Sequence, residues 1–350
     1  MVAPGTAPID QPRPTPPDKG AAPRRTRWQR AIAVVTVLYA ASIFALWAWM
    51  YIEGDRSWLA TIFLFGPRWL CALPLPLVAL CVVVWQRRLL WLVAATTVMI
   101  FGPLLGFHAH ASDDGPGKLR VLTCNVNQRG YRDADLANLI DTAQPDVVAL
   151  QEVKIAPAPI VWPRGWQVVH RDELLVASRF PVELQEGFER PSVPGKTVAF
   201  RYKIAAPGGD VQLFNLHLMT PRWGLEAVLD RNKGVDLSKI PRLDAMLWLR
   251  AAESQQVSDW IAGFEGAKII VGDFNMPFDS AIFRRNWSGY ENAFSTAGFG
   301  FGFTKMTEKR GWSYGSRIDH ILYTPPWHCK KAWVDADIGS DHLPLLATFD

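Results

Sequence analysis

The sequence predicts a soluble domain of α/β class joined to a membrane anchor, and the distribution of apolar residues separates the two parts. Hydrophobic residues make up 49% of the chain. They dominate residues 31–107, whereas residues 112–350 have the composition of a soluble protein. In that second part, short apolar runs typical of strands alternate with amphipathic helical patterns. We therefore expect three transmembrane helices followed by a domain of sheets and helices.

The charge distribution follows the same boundary. Residues 1–30 are rich in proline, end on the basic stretch "RRTRWQR" and predict a disordered tail. Residues 1–110 contain ten Lys and Arg and four Asp and Glu, a net charge of +6. Subtraction from the totals of 37 and 33 leaves 27 basic and 29 acidic residues in 111–350, a net charge of −2. The domain thus lacks the overall basic charge typical of non-specific nucleic-acid binding.

Three apolar runs predict the membrane spans, at residues 31–52, 69–85 and 89–107. The first has 22 residues without a charge, which is enough helix to cross a hydrocarbon core of about 30 Å. The second is shorter and contains two prolines, but the preceding "WLATIFLFG" can lengthen it. Buried helices of a soluble core are the first alternative, and a signal peptide cleaved at "HAHAS" is the second. Three successive long uncharged runs argue against both.

The arginines predict the orientation of the anchor. They cluster at 24–30, before the first span, and at Arg87 and Arg88, between the second and third spans. The positive-inside rule places both clusters in the cytoplasm. The third span then leads outwards, so we expect a multi-pass protein of the cell membrane with a cytoplasmic N-terminus. Residues 112–350 would form an extracytoplasmic domain.

The four cysteines indicate neither a zinc site nor a redox motif. Cys71 and Cys81 lie in the second span, and Cys124 and Cys329 lie in the domain without CxxC or zinc-ligand spacing. Cys124 and Cys329 can form a disulfide in an oxidising compartment. The alternative is that Cys124, which lies in an apolar strand, is a small core residue, and the sequence favours this alternative.

Polar side chains stand at the ends of six predicted strands. These strands are "LRVLTCNVN" (119–127), "PDVVALQEV" (145–153), "VQLFNLHLMT" (211–220), "KIIVGDFN" (268–275), "SRIDHILY" (316–323) and "GSDHLPLLATF" (339–349). Amphipathic helices are expected from Asp133 and over residues 242–264. A single polar strand end indicates a turn. Six such ends, all with Asp, Glu, Asn or His, indicate a common edge where loops build a site.

These residue types suit phosphoryl transfer. Carboxylate and amide oxygens are hard ligands, appropriate for Mg²⁺, Mn²⁺ or Ca²⁺. Histidines and a further carboxylate supply proton transfer and stabilise negative charge on a phosphate. A metal-assisted attack of water on phosphorus uses this combination.

The order of the motifs resembles one known family. "TCNVN", "PDVVALQEV", "NLHL", "VGDFN", "SRIDHIL" and "GSDHLPL" resemble the endonuclease/exonuclease/phosphatase superfamily. That superfamily includes exonuclease III-type apurinic endonucleases, deoxyribonuclease I, inositol polyphosphate 5-phosphatases and neutral sphingomyelinases. Each motif is short, but the ordered set is specific and spans residues 119–349. The resemblance implies a four-layer α/β sandwich, with two packed, mainly antiparallel β-sheets flanked by helices and the site at one end. The anchor lies outside the resemblance.

The resemblance also implies roles for individual residues. The catalytic residues would be His217, Asp273, Asn275, Asp319 and His342, and the metal ligands would be Asn125, Glu152 and Asp341. Asp273 would activate or orient the attacking water, Asn275 would hold that water or the phosphate, and His217 would donate to the phosphate. Asp319 would orient and charge His342. Asn127 stands where the apurinic endonuclease branch often has Asp, which leaves open whether one or two metals bind.

The substrate class is less determined than the chemistry. The substrate-binding candidates are Asn127, Arg222, Trp223, Lys305 and Arg317. Arg231, Lys233 and Trp312 lie near them in two predicted loops. The alternative is that these loops are solvent-exposed and do not bind substrate. We expect an extracytoplasmic Mg²⁺- or Mn²⁺-dependent phosphoesterase. The net charge of −2 and the anchor favour a small or lipid-associated phosphoester over nucleic acid. An anchored nuclease is one alternative, and a catalytically idle membrane scaffold is the other.

Overall fold

The computed structural model describes residues 26–350 apart from 112, 114, 129–130, 155–160, 208, 231–233 and 310. Its α-helices are α1 (Arg27–Glu53), α2 (Trp58–Leu64), α3 (Leu75–Trp85), α4 (Leu90–Met99), α5 (Asp133–Ala143), α6 (Arg222–Val228), α7 (Ile240–Ala262), α8 (Ala281–Trp287) and α9 (Ala293–Ala297). The first strands are β1 (His108–Ala109), β2 (Leu119–Gln128), β3 (Val147–Val153), β4 (Gln167–Arg171), β5 (Leu174–Ser178), β6 (Val182–Glu189), β7 (Thr197–Ala206), β8 (Gly209–His217) and β9 (Leu229–Asp230). The remaining strands are β10 (Gly234–Val235), β11 (Lys268–Asp273), β12 (Glu291–Asn292), β13 (Phe299–Gly300), β14 (Lys305–Lys309), β15 (Trp312–Ser316), β16 (Asp319–Tyr323), β17 (Cys329–Val334) and β18 (Leu345–Phe349).

The N-terminal part of the described chain is helical and apolar. Three of its helical stretches are long and apolar enough to cross a membrane, at Arg27–Arg56, Arg68–Trp85 and Arg87–Leu104. They match the three predicted spans to within a few residues. The first begins at a capping box in which the Thr26 side chain accepts from the Gln29 backbone and the Gln29 side chain accepts in return. Most of the tail predicted at residues 1–30 lies outside the described residues.

Two six-stranded sheets form the rest of the molecule. Their strand orders are β12-β16-β11-β8-β7-β6 and β17-β18-β2-β3-β5-β4. All neighbours pair antiparallel except for one central parallel pair in each sheet, β8 with β11 and β2 with β3. The predicted fold class, two mainly antiparallel sheets flanked by helices and preceded by three apolar helices, is confirmed.

Alternation along the strands creates the layers. Val121 of β2 points into the core between the sheets, and the next residue, Leu122, packs under α5 on the outer face. In β11, Ile269 and Val271 point between the sheets, and Ile270 points outwards to the cluster that includes α7 and α8 residues. Because strand side chains alternate with a period of two, each buried strand needs apolar residues at successive positions. The result is helix, sheet, sheet and helix.

The cysteines are free thiols. Cys124 is fully buried in the cluster under α5, so the core interpretation of this residue is confirmed. A bond between Cys124 and Cys329 is absent from the structure, in which all four cysteines of the sequence are free.

The apolar helices pack directly onto the sheet domain. Trp58 and Ile62 of α2 lie against Leu243 and Leu247 of α7. Phe301, which follows β13, packs into the cluster formed by the N-terminal apolar helices. The helices are therefore joined to the domain by shared packing as well as by the chain.

Candidate active site

The site begins where β11 ends. Asp273 is the last residue of β11, and the strand register places it beside His217 of β8 and Asp319 of β16. Gly272 has a φ of +137°, and a Cβ there would lie 2.0 Å from the Leu216 carbonyl oxygen. Only glycine therefore lets β11 lie this close to β8 immediately before Asp273.

An amide joins the carboxylates of the two sheets. The Asn125 side-chain nitrogen donates to Glu152 Oε1 and to Asp273 Oδ2, both at 3.0 Å. Its oxygen accepts from the Asn127 backbone at 2.9 Å. Glu152 has a φ of +57°, a left-handed conformation that is uncommon for a non-glycine residue and is often found where the fold aims a functional side chain.

Asp319 and His342 form a buried pair. His342 Nδ1 donates to Asp319 Oδ2 at 2.8 Å, and His342 Nε2 lies 3.8 Å from Asp273 Oδ2. Burial disfavours the imidazolium, but the carboxylates of Asp319 and Asp273 outweigh it and raise the pKa of His342. Burial likewise disfavours the Asp319 carboxylate, but the charge of His342 and its hydrogen bond keep the pKa of Asp319 below its ordinary value. The pair is therefore stabilised in its charged form.

A second histidine approaches from the opposite side of Asp273. His217 Nε2 lies 3.6 Å from Glu152 Oε1 and 3.7 Å from Asp273 Oδ2. Burial raises the pKa of Asp273, and the neighbouring Asp319 carboxylate raises it further. The two histidines and Asn125 offset only part of this rise. Asp273 is thus a buried carboxylate with raised basicity between two imidazoles.

Asn275 completes the turn after β11. Its backbone N–H donates to Asp273 Oδ1 at 2.8 Å, and its side-chain nitrogen donates to the Leu218 carbonyl at 2.9 Å. Its φ is +51°, which a short polar side chain tolerates. The segment is a turn and also part of the site.

Asp341 and Lys305 lie at the edge of the site and form an ion pair with each other. Asp341 was expected to bind a metal, but in this structure Lys305 occupies its carboxylate. Arg222 pairs with Glu226 at 3.0 Å, which raises the pKa of Arg222, and the carboxylates of Asp341 and Glu152 act in the same direction. Trp223 is 67% exposed. Arg222 therefore lies within electrostatic range of the site, and Trp223 is its exposed neighbour in the sequence.

Arg317 requires a correction. It was a substrate-binding candidate, but it is only 2% exposed and its guanidinium lies over the rings of Phe278 and Phe294. It donates to Ser295 Oγ and contacts His108 Nε2, both at 3.2 Å. Burial lowers the pKa of Arg317 to about 9. Because apolar rings and a histidine surround it, Arg317 packs the interior and does not face an open substrate surface.

Three candidate loop side chains lie outside the described residues, and one buried histidine lies away from the site. Arg231 and Lys233 lie outside the described residues, as does the side chain of Trp312. His320, which follows Asp319 in β16, is buried, with Nε2 2.9 Å from the Met276 carbonyl. It takes no part in the site.

Two buried charged residues beneath the site, Arg250 and Glu253, were not predicted from the sequence. Arg250 Nε donates to the Met219 carbonyl at 2.9 Å, and Nη2 donates to the Asn275 carbonyl at 2.8 Å. Glu253 accepts from the Met219 backbone at 2.7 Å. The sequence did contain an indication of them. Arg250 and Glu253 follow Leu247 at intervals of three residues, which places both charges on the buried face of α7.

The donor chemistry fits a hard divalent cation. Glu152 and Asp273 present carboxylates to the same space, and Glu152 is partly open to solvent. Asp319 Oδ1 is buried and has no hydrogen-bond partner among the described residues. Asn125 differs from the expectation that it is a ligand, because the nitrogen of its amide faces the carboxylates and its oxygen is engaged with Asn127. Carboxylate oxygens suit Mg²⁺, Mn²⁺ or Ca²⁺.

Comparisons with known proteins give a family match. Residues 122–342 match the model described as the Endonuclease/Exonuclease/phosphatase family. No curated protein matches the chain.

Solved structures are similar to the chain. A 3'-5' exonuclease from Neisseria meningitidis is 21% identical, with a TM-score of 0.50, and the match covers 66% of this chain and 100% of that one. An endonuclease/exonuclease/phosphatase family protein from Leptotrichia buccalis is 18% identical, with a TM-score of 0.47 and coverages of 66% and 99%. An AP endonuclease from Archaeoglobus fulgidus is 19% identical, with a TM-score of 0.45 and coverages of 66% and 99%. At 21% identity the likeness to the exonuclease concerns the fold alone.

Proposed function

The chain belongs to the endonuclease/exonuclease/phosphatase family, and from this premise we propose that it is a divalent-metal-dependent hydrolase of phosphoesters. The proposal rests on one observation, the convergence of polar strand ends from both sheets on Asp273 Oδ2. Within hydrogen-bonding or ion-pair range of that oxygen lie Asn125, His217 and His342. A scaffold kept only for binding has no physical need to bury such a cluster, which is costly for stability.

A carboxylate would hold the metal. Glu152 is the proposed ligand, and Asn125 holds it beside Asp273, which keeps its role as the base for the attacking water. When bound, Mg²⁺ or Mn²⁺ would neutralise charge on the phosphate and polarise its oxygens. Asp341 joins the ligands only if its ion pair with Lys305 opens.

The other residues would handle protons and charge. Asp273, a carboxylate whose pKa is raised by burial, takes the proton of the water that attacks in line with the leaving group. Asn275 fixes the second oxygen of that carboxylate through its backbone N–H. His342, held cationic by Asp319, donates to a phosphate oxygen, and His217 donates from the other side.

We further propose that the substrate is a small or lipid-associated phosphoester at the outer face of a membrane. Three features support this preference. The stretches Arg27–Arg56, Arg68–Trp85 and Arg87–Leu104 are long and apolar enough to span a bilayer. α2 packs against α7, next to α6, and α6 carries the exposed Trp223 beside Arg222, whose charge lies within electrostatic range of Asp341 and Glu152. Residues 111–350 have a net charge of −2, which disfavours long-range attraction to nucleic acid.

The chemistry is tested with the full chain in detergent micelles and bis(p-nitrophenyl) phosphate as the probe. Asp273→Asn and Glu152→Gln should each lower kcat by roughly 100-fold or more, because each removes a charge from the reacting centre. The exposed carboxylates Asp244 and Glu183 provide matched controls, Asp244→Asn and Glu183→Gln, which should retain activity. EDTA should abolish hydrolysis, and Mg²⁺ or Mn²⁺ should restore it. Hydrolysis that survives both EDTA and Asp273→Asn would contradict the mechanism.

Two further measurements address location and substrate. A reporter that works on only one side of the membrane, fused after Asp350, tests the orientation, and a cytoplasmic signal would overturn it. Phosphoinositides, sphingomyelin, phosphatidylglycerol, plasmid DNA and single-stranded RNA, each incubated with the full chain and Mg²⁺, test the substrate class. Rapid nicking of DNA without turnover of lipid, lost in Asp273→Asn, would replace the preferred substrate by nucleic acid and make the protein an anchored nuclease.

A further inference from the structure

An acidic residue of the anchor lies inside the sheet domain. Asp55 belongs to the short turn Gly54–Arg56 between α1 and α2 and is 0% exposed. Its carboxylate accepts from Ser280 Oγ at 2.7 Å and from the Ile282 backbone at 3.2 Å. Gly54 has a φ of +44°, and a Cβ there would lie 2.7 Å from the Ala281 nitrogen. The turn is therefore seated directly against the segment that follows the Asp273 loop.

Asp55 faces the side chain that supports that loop. Asp55 Oδ2 lies 3.6 Å from Arg250 Nη1, and both side chains are fully buried. The other nitrogens of Arg250 donate to the carbonyls of Met219 and Asn275. The guanidinium of Arg250 thus joins the loop after His217 to the loop after Asp273, and its remaining nitrogen faces the Asp55 carboxylate.

These contacts belong to a network of four buried or nearly buried charged residues, namely Asp55, Arg250, Glu253 and Arg190. Glu253 pairs with Arg190 at 2.9 Å and accepts from the Met219 backbone. Arg190 donates to the His217 carbonyl at 2.9 Å. This network contains two arginines and two carboxylates, so its charges balance. Asp55 is the one member of this network that comes from the anchor. Without Asp55, the buried guanidinium of Arg250 would lose its nearest carboxylate from outside α7.

We propose that Asp55 is a positioning residue of the active site and that the turn between α1 and α2 is a structural part of that site. The inference rests on the proposed function for its kinetic arm, because it assigns Asp55 an effect on the same reaction. Asp55 acts by fixing Arg250, and Arg250 fixes the carbonyls of Met219 and Asn275.

The two loops that Arg250 joins need this support. Asn275 is in a left-handed conformation, and conformations of this kind persist where the surroundings determine them. Its backbone N–H in turn fixes Asp273 Oδ1. A displacement of about 1 Å at a reacting group costs roughly 100-fold in rate, so loss of this support should appear mainly in kcat.

The test uses full-length variants in detergent micelles with Mg²⁺ and bis(p-nitrophenyl) phosphate, assayed well below the unfolding midpoint of each variant. Asp55→Asn should lower kcat by roughly 100-fold and change KM by less than about threefold, because the substrate does not contact Asp55. It should also lower Tm by roughly 5–10 °C, because it leaves a buried arginine unbalanced. Arg56→Gln, an exposed neighbour on the same turn, is the matched control and should change neither quantity.

A second pair of variants separates positioning from general stability. Asp55→Asn combined with Arg250→Met removes both charges, so Tm should recover while kcat stays low, because the bridge between the loops is gone. Arg250→Lys keeps the charge but cannot donate to both carbonyls as a planar fork does, so it should lower kcat more than Tm. Recovery of kcat together with Tm in the double variant would overturn the proposal. Wild-type kcat in Asp55→Asn would also overturn it.

An arm independent of catalysis distinguishes this inference from the proposed function. Amide hydrogen exchange in residues 217–220 and 273–276 should be faster in Asp55→Asn than in the wild type, and unchanged in Arg56→Gln. If the wild type fails to hydrolyse the probe, the proposed function is contradicted for that substrate, and the exchange experiment still decides the role of Asp55. Unchanged exchange in Asp55→Asn would refute it.

Discussion

The pairing of Asp319 with His342 allows a prediction whose size follows from the structure. Asp319→Asn keeps the shape of the side chain but removes the negative charge 2.8 Å from His342 Nδ1. Two unit charges about 4 Å apart attract by about 4 kcal/mol at an effective dielectric constant of about 20. Asp273, 3.8 Å from the other ring nitrogen, remains and retains part of the stabilisation of the imidazolium. We therefore expect a loss of about 2–4 kcal/mol in the transition state, or roughly 30- to 1000-fold in kcat.

A double-variant cycle checks that the two residues act as one unit. The measured quantity is kcat for bis(p-nitrophenyl) phosphate in Asp319→Asn, in His342→Ala and in the combination. If Asp319 works through His342, the double variant should be no slower than His342→Ala alone. Asp244→Asn, an exposed carboxylate, controls for the loss of one negative charge. Multiplicative losses in the double variant, or less than about a threefold effect of Asp319→Asn, would refute the reasoning.

Two further predictions concern stability. Gly272→Ala should lower Tm sharply and abolish activity, because the added Cβ would lie 2.0 Å from the Leu216 carbonyl oxygen at a φ of +137°, whereas Gly289→Ala, with open space at its Cβ, should have little effect. Burial lowers the pKa of His320 to about 3, against about 6.5 in an unfolded chain. The unfolded state therefore binds one more proton between these values, and His320 should reduce the free energy of unfolding by up to about 1.4 kcal/mol for each pH unit below about 6.5. Urea unfolding from pH 4 to 7 should show a shallower pH dependence in His320→Gln, and equal slopes would contradict the assignment.

The sequence by itself determined the local elements and the composition of the site. The helix α7 and the strands β2 and β11 follow from periodicity, which depends on neighbouring residues and is read without knowledge of the fold. The three apolar helices follow from length and the absence of charge. The polar strand ends were also visible locally. The expectation that they converge was sound because strands of packed sheets end at shared edges, and the structure brings Asn125, Glu152, His217, Asp273 and His342 together.

Only the tertiary structure decided which of these side chains were already engaged. Lys305 takes the carboxylate of Asp341, and aromatic rings enclose Arg317, although both positions looked open in the sequence. The contact of Asp55 with Arg250 joins a turn between two apolar helices to α7, which lies far along the chain. Burial and ion pairing depend on which distant segments pack together, and no local pattern encodes that partner. Periodicity therefore located the elements, and packing determined the environment of each charge.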